Sequence, residues 1–295
     1  MALAFEPVSL ERQGEYLQLL RATPVIASDY SYVNLWGWAA HFGLEWSFDR
    51  DLVWIRQTRP TLQYWAPVGD WKSDRLYRMV AEVLPAGISM VRAPEFFVNR
   101  LKQEMADAVQ ADESRGHWDY LYSLQDLVAL KGNRFHKKKN LLNQFKKNYG
   151  YQYRDLDEKL AGMALDMQEN WCTWRDCEAE EALDAENAAI ARVLQNWGSF
   201  ENLAGGALMV DGGMVAYTIG EKLAAATLLI HFEKGSPGYK GIYQAINQMF
   251  AERMQTGFQR VNREQDLDNE GLRKAKMSYN PVDFVKKYTL HFQLP

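Results

Sequence analysis

Cysteine is scarce in this chain, with Cys172 and Cys177 the only two among 295 residues. Lacking a second pair they do not complete a zinc site, and they are expected to be ordinary reduced thiols. Long hydrophobic runs are missing too, since none approaches the roughly 20 apolar residues that cross a bilayer. The start, MALAFEPVSLERQGEY, has acids and a proline where a signal peptide has a basic start and an apolar middle. A soluble, cytoplasmic protein is expected. No low-complexity segment and no metal-ligand spacing occurs, so no metal site is expected.

What is present is a globular composition, 47% apolar and 24% charged, on a chain long enough for two domains. The net charge of -4 argues against indiscriminate binding to nucleic acid, and DNA is not an expected partner. The charge is unevenly spread, however. From Leu127 to Arg154 there is no acid, while Lys131, Arg134, Lys137, Lys138, Lys139, Lys146, Lys147 and Arg154 all lie in that window. At about 100° per residue, Phe135, Leu141, Leu142, Phe145 and Tyr149 share one arc, as an amphipathic helix requires. Lys137, Lys139, Asn140, Lys146 and Lys147 fall outside it and are expected in solvent, as is His136. Lys131, Arg134 and Lys138 fall on the apolar arc and are expected to point inward. An inward cation needs a partner, either a protein carboxylate or the phosphates of a ligand.

The order of elements is readable from pattern. Tyr151 to Leu156 alternates like a strand, and helical stretches follow at Glu158–Arg175 and Glu181–Trp197. Three strand-like segments come next, the first two joined by Asp211-Gly212-Gly213, a strong hairpin signal. A loop holding Gly235, Pro237, Gly238 and Gly241 then leads into a helix with Ile242, Tyr243, Ile246, Met249 and Phe250 at helical spacing. A strand ending at Asn262, a helix stopped by Pro281 and a last strand complete the chain. The first half shows a similar order, with a helix from Asp70 to Val83 after the loop APVGDWKS. That loop is short of glycine, and Asp70 opposes an anion at a helix start.

This order is the one found in the Gcn5-related acyltransferase fold. The α/β fold expected is two tandem domains of that type, with mixed sheets flanked by helices. Residues 1–118 form the first, without its own phosphate site; 119–150 form a connecting strand and basic helix; 151–295 form the second, carrying the site. In that fold the loop after the third meander strand holds a pyrophosphate, which assigns Gly238, Lys240, Gly241 and Ile242 to the donor, with Arg134 and Lys138 reaching in. A bare backbone N–H row at a helix start suits such an anion.

Four runs go beyond pattern: SDYSYVNLWGW (28–38), LKGNRFHKKKNLLNQFKKNY (130–149), EKGSPGYKGIYQAIN (233–247) and NREQDLDNEGLRKAKMSYNP (262–281). Together they resemble an uncharacterised bacterial family related to the C-terminal domain of phosphatidylglycerol lysyltransferase, and through it the Fem-type peptidyltransferases that use aminoacyl-tRNA. The resemblance implies a transferase with aminoacyl-tRNA as donor. Acyl-CoA as donor, or a ligand-binding module without turnover, are the alternatives. No tightly bound cofactor is expected. The acceptor is a small molecule, a peptide or a lipid head group. No transmembrane flippase portion is expected, and Tyr243-Gln244 stands near where the lysyltransferases tend to carry an acid.

Acyl transfer to an amine or hydroxyl needs a base, donors for the oxyanion and an acid for the leaving group. Glu233 and Glu264 are the candidate bases, and Asn262, Arg263 and Asp266 flank Glu264 as candidate substrate ligands. Tyr279 is the candidate acid, by analogy with a tyrosine in this part of the related fold. Lys274 and Lys276 are further candidates for an anionic substrate. His231 is expected to be a core histidine, with no Asp or Ser evidently placed to form a relay.

Overall fold

The computed structural model describes residues 3–72, 76–85, 87–105 and 108–292. The chain divides into two compact units. One holds the chain up to Asp119, residues 265–270 and the segment from Phe284; the other holds Tyr120–Glu264 and Gly271–Asp283.

The first unit begins with β1 (Glu6–Pro7), α1 (Gln13–Ala22), α2 (Tyr32–Phe42), β2 (Leu44–Asp49) and β3 (Leu52–Gln57). It continues through β4 (Gln63–Trp65), β5 (Val68–Gly69), α3 (Leu76–Val83), β6 (Met90–Pro94), α4 (Glu95–Met105) and β7 (Val109–Glu113). Local chemistry sets the element ends. The Ser31 side chain accepts the Asn34 N–H at the start of α2, and Gly43 in the left-handed region ends it. Tyr16 and Tyr32 stack on the buried Trp46, with centroids 5.7 and 6.2 Å away, and so tie α1 and α2 to β2. The helix expected from Asp70 starts at Leu76 among the described residues, and residues 73–75 of that stretch lie outside them. Asp70 instead accepts the Lys72 N–H at 2.9 Å, an Asx turn that competes with helix.

The chain then forms β8 (Asp119–Ser123), α5 (Leu124–Ala129), α6 (His136–Asn148), β9 (Tyr151–Asp155), α7 (Glu158–Arg175) and α8 (Glu181–Gln195). The meander follows as β10 (Leu203–Val210), β11 (Gly213–Ala224) and β12 (Thr227–Gly235), then α9 (Ile242–Arg253), β13 (Arg260–Asn262), α10 (Glu270–Met277) and β14 (Asp283–Val285). The strands order as β14-β8-β13-β12-β11-β10-β9. Asp211 and Gly212 both take positive φ at the β10–β11 turn, as the hairpin signal anticipates. Phe135, Leu142 and Phe145, on and just before α6, pack with Ile242, Ile246 and Met249 of α9 against Leu208 and Val215.

One pairing in this sheet shapes the site. β12 and β13 run parallel but pair only over Thr227–Leu229 with Arg260–Asn262. β12 continues to Gly235 while β13 stops, so the carboxyl ends of two neighbouring parallel strands part. Open α/β sheets bind ligands in that kind of crevice.

The expectation of two mixed sheets flanked by helices is met. The last strand, β15 (Lys287–Phe292), lies between β6 and β7 in the first unit's sheet, although the expected boundaries place it in the second domain. The physical reason is Lys287. Its buried ammonium meets the carboxylates of Asp29 and, at 2.6 Å, Asp119, and a buried cation is tolerated only with such partners. Strand periodicity shows that 287–292 is extended but does not show its neighbours.

Candidate active site

The glycine loop lies between β12 and α9, as expected. Gly241 takes φ +85° as the N-cap residue, and a Cβ there would meet the Leu141 carbonyl oxygen at 2.1 Å, so only glycine lets α6 pass this close. The N–H row is only partly bare. The Lys240 N–H donates to the Tyr149 hydroxyl at 3.1 Å, that hydroxyl donates to the Gly238 carbonyl at 3.2 Å, and the Ile242 N–H closes a turn onto Tyr239. Among the described residues no acceptor meets the N–H of Tyr243 or Gln244, the next donors in the first turn of α9. The Lys240 side chain is exposed. These groups and Trp174 line an open concavity of about 390 Å³.

Beside the loop, where β12 and β13 part, a second group of side chains converges. Glu233 accepts from Arg263 at 3.2 Å and from the Asn247 amide at 3.1 Å. Arg263 lies over the ring of Tyr279 at 4.9 Å and over Tyr122 at 5.8 Å. Tyr279 is buried, and the Gln244 amide reaches its hydroxyl at 3.5 Å. Burial pushes the Tyr279 hydroxyl above its ordinary pKa, with Glu233 adding to the rise against the opposing pull of Arg263, so it stays protonated at neutral pH. Lys138 comes in from α6 with its ammonium 4.2 Å from the Tyr279 ring. Burial and the nearby Arg263 both lower its pKa. Lys276 bonds the Arg263 carbonyl oxygen, and Tyr122 donates to the Lys276 carbonyl at 2.9 Å.

Of the three cations expected to turn inward, only Lys138 does so. Lys131 and Arg134 are exposed, and Arg134 pairs with Asp126 at 2.8 Å. The helical projection fails there because Leu130 takes a left-handed φ, the chain turns, and α6 begins only at His136. The exposure of Lys137, Lys139, Asn140, Lys146, Lys147 and His136 agrees with expectation.

The candidate acids separate. Glu264, at φ +56°, turns away from Glu233 and binds His231 Nδ1 at 3.0 Å, while Glu221 meets His231 Nε2 at 3.2 Å. His231 therefore has two glutamate partners, ten and 33 residues away along the chain. The correction comes from sheet geometry, because β11 and the end of β13 flank β12 in space. Burial would depress this imidazole, but the hydrogen bonds it donates to Glu221 and Glu264 outweigh it and raise the pKa to about 9. The fully buried Asn262 accepts the Glu264 N–H at 2.8 Å and shapes that turn. Asp266 belongs to the first unit and meets Arg115 at 3.2 Å, so it does not join the Glu233 cluster. Lys274 is exposed.

The cysteines also differ from expectation. Asp176 takes a left-handed φ at the end of α7 and turns the chain back, bringing the Cα atoms of Cys172 and Cys177 to 5.0 Å, and the two are disulfide-bonded. Sequence reasoning missed Asn247, Tyr122, Tyr149 and Trp174 as neighbours of the site. Gln244 and Asn247, three apart on the first turns of α9, were the readable signal for a polar face on an otherwise apolar helix.

Comparison with known proteins bears on the family and the fold. Residues 21–291 match the family described as phosphatidylglycerol lysyltransferase, C-terminal. A conserved protein of unknown function from Bacteroides thetaiotaomicron VPI-5482 superposes with a TM-score of 0.91 at 28% identity, covering 99% of this chain and 100% of that one. The C-terminal domain of a putative lysylphosphatidylglycerol synthetase from Agrobacterium fabrum superposes with a TM-score of 0.67 at 12% identity, covering 95% and 90%. An uncharacterised protein from Mycoplasmoides gallisepticum is 26% identical over 179 residues, 58% of this chain and 54% of that relative, so the match spans about half of the relative's length.

Proposed function

The chain belongs to the phosphatidylglycerol lysyltransferase C-terminal family, and from that premise we propose that it transfers an aminoacyl group from aminoacyl-tRNA to an amine or hydroxyl acceptor. The observation that carries the reading is the convergence of Glu233, Arg263, Tyr279 and Lys138 beside the bare N–H groups of Tyr243 and Gln244.

Each group has a role in acyl transfer. Arg263 and Asn247 take one oxygen each of Glu233, and the carboxylate keeps further lone pairs for a proton. Glu233 removes the proton of the attacking amine or hydroxyl as it bonds to the donor's carbonyl carbon. The Lys138 ammonium faces the oxyanion that develops. Tyr279, held protonated, gives its proton to the departing ribose oxygen as the ester bond breaks. The donor's phosphates lie over the start of α9 with Lys240 beside them. The donor is a diffusible substrate, and no resident cofactor takes part. The acceptor is a small molecule, a peptide or a lipid head group.

The test is binding of aminoacyl-tRNA, deacylated tRNA and acetyl-CoA at low and moderate salt, to wild type and to Lys138→Ala, Lys240→Ala. Salt-sensitive tRNA binding that the double variant loses is the expected result, since each phosphate contact adds to the salt slope. Binding of acetyl-CoA alone moves the donor to an acyl-CoA, and binding of none of the three removes the transferase reading.

A further inference from the structure

Trp174 is 60% exposed and Tyr243 39% exposed, and both line the concavity at the glycine loop. None of the residues lining that concavity is an acid, while Lys240 and the unengaged N–H groups of α9 stand on its rim. A surface that joins exposed aromatic faces to anion donors matches a ligand with both a planar π system and a phosphate. At about 390 Å³ the concavity is within the range of small-ligand sites, roughly 300–1,000 Å³.

The Trp174 ring is also held in place from behind. It leans on Trp171, 6.5 Å between centroids, and Trp171 in turn lies under the Lys234 ammonium at 4.1 Å, which Glu186 pairs at 2.7 Å. The Cys172–Cys177 disulfide brackets it on the chain. A rigid ring loses little entropy when a base stacks on it.

We propose that Trp174 and Tyr243 form a stacking platform for the adenine of a nucleotide whose phosphate lies at the start of α9. The proposal rests on the donor reading above and adds to it the part of the donor that is gripped. Adenine nucleotides reach such a site from two sources, the 3′ end of a tRNA or coenzyme A. Stacking is the recognition, and it is the same for both.

Binding, not turnover, tests it. The probes are an RNA minihelix ending in CCA, the same RNA with an abasic residue in place of the terminal adenosine, coenzyme A, and pantetheine, which lacks the nucleotide. The proteins are wild type, Trp174→Ala, Trp174→Phe and Lys240→Ala. Base–aromatic stacking predicts that Trp174→Ala weakens the adenine-bearing probe roughly 5- to 100-fold, with Trp174→Phe retaining most affinity and the base-less probes unaffected by either. Lys240→Ala weakens intact and abasic RNA alike. If Trp174→Ala binds as wild type while Lys240→Ala does not, the platform is overturned and the donor reading stands. If the Trp174 effect is found with coenzyme A and no RNA binds, the platform stands and the tRNA donor falls. If wild type binds neither nucleotide, both are overturned.

Discussion

At the scale of single residues, Glu233 and Tyr279 are the candidate base and acid that both meet the Arg263 guanidinium. Glu233→Gln and Tyr279→Phe each remove one proton-transfer group while keeping its shape. Each is expected to lower kcat about 10²–10⁴-fold with little change in donor affinity, measured by single-turnover transfer. A parallel loss of donor binding would make these residues ligands rather than acid and base. Glu264, which sequence position alone makes an equal candidate to Glu233, is engaged by His231 instead.

His231 makes a pH prediction. Its folded pKa of about 9 lies above the unfolded value near 6.5. A raised pKa on a cationic acid contributes stability that is fully present below about pH 6.5 and is lost as pH rises through about 9. Denaturant midpoints of wild type are therefore expected to fall between those limits. His231→Asn, less stable at pH 6.5, is expected to show a flatter profile over the same range. A wild-type midpoint that is constant up to pH 9 would mean the imidazole is neutral between its two acids.

At the scale of elements, the contact between α6 and the start of α9 sets the shape of the loop. Gly241→Ala brings a Cβ against the Leu141 carbonyl and holds a non-glycine residue at φ +85°. The backbone conformation alone costs on the order of 1–3 kcal/mol, and α6 has to move away. We expect a lower melting temperature and weaker phosphate binding together. Gly238→Ala is the control, since it has a similar positive φ, +94°, with nothing within 4 Å of the added carbon. Equal loss in both variants would assign the effect to backbone strain and not to helix packing.

At the scale of the whole molecule, the chain's last strand completes the sheet of its first unit, and one buried lysine is central to that join. Lys287→Met leaves Asp29 and Asp119 without their ammonium. Removing one partner of a buried pair costs about 3–5 kcal/mol, and Arg92, which still pairs with Asp29, offsets part of it. The expected result is early unfolding of the first unit, seen as lost hydrogen-exchange protection in β6 and β7 with β10 and β11 still protected. Uniform loss through both units would show that they unfold as one.

The sequence by itself determined most of the elements, because hairpin residues, helical spacing and the glycine loop are signals carried by neighbours along the chain. The β10–β11 turn, the start of α9 and the exposed face of α6 all follow from residues within a few positions of each other. It also placed Glu233, Arg263, Tyr279 and Lys138 among the candidates. Only the tertiary structure decided which of them meet. Glu221 reaches His231 from β11 and Glu264 from the turn after β13, Arg134 is lost to Asp126 by a single left-handed residue at Leu130, and Lys287 belongs to the first unit. Those outcomes depend on where charges find partners across long separations. Burial makes an unpartnered charge costly, and periodicity carries no record of which distant residue satisfies it.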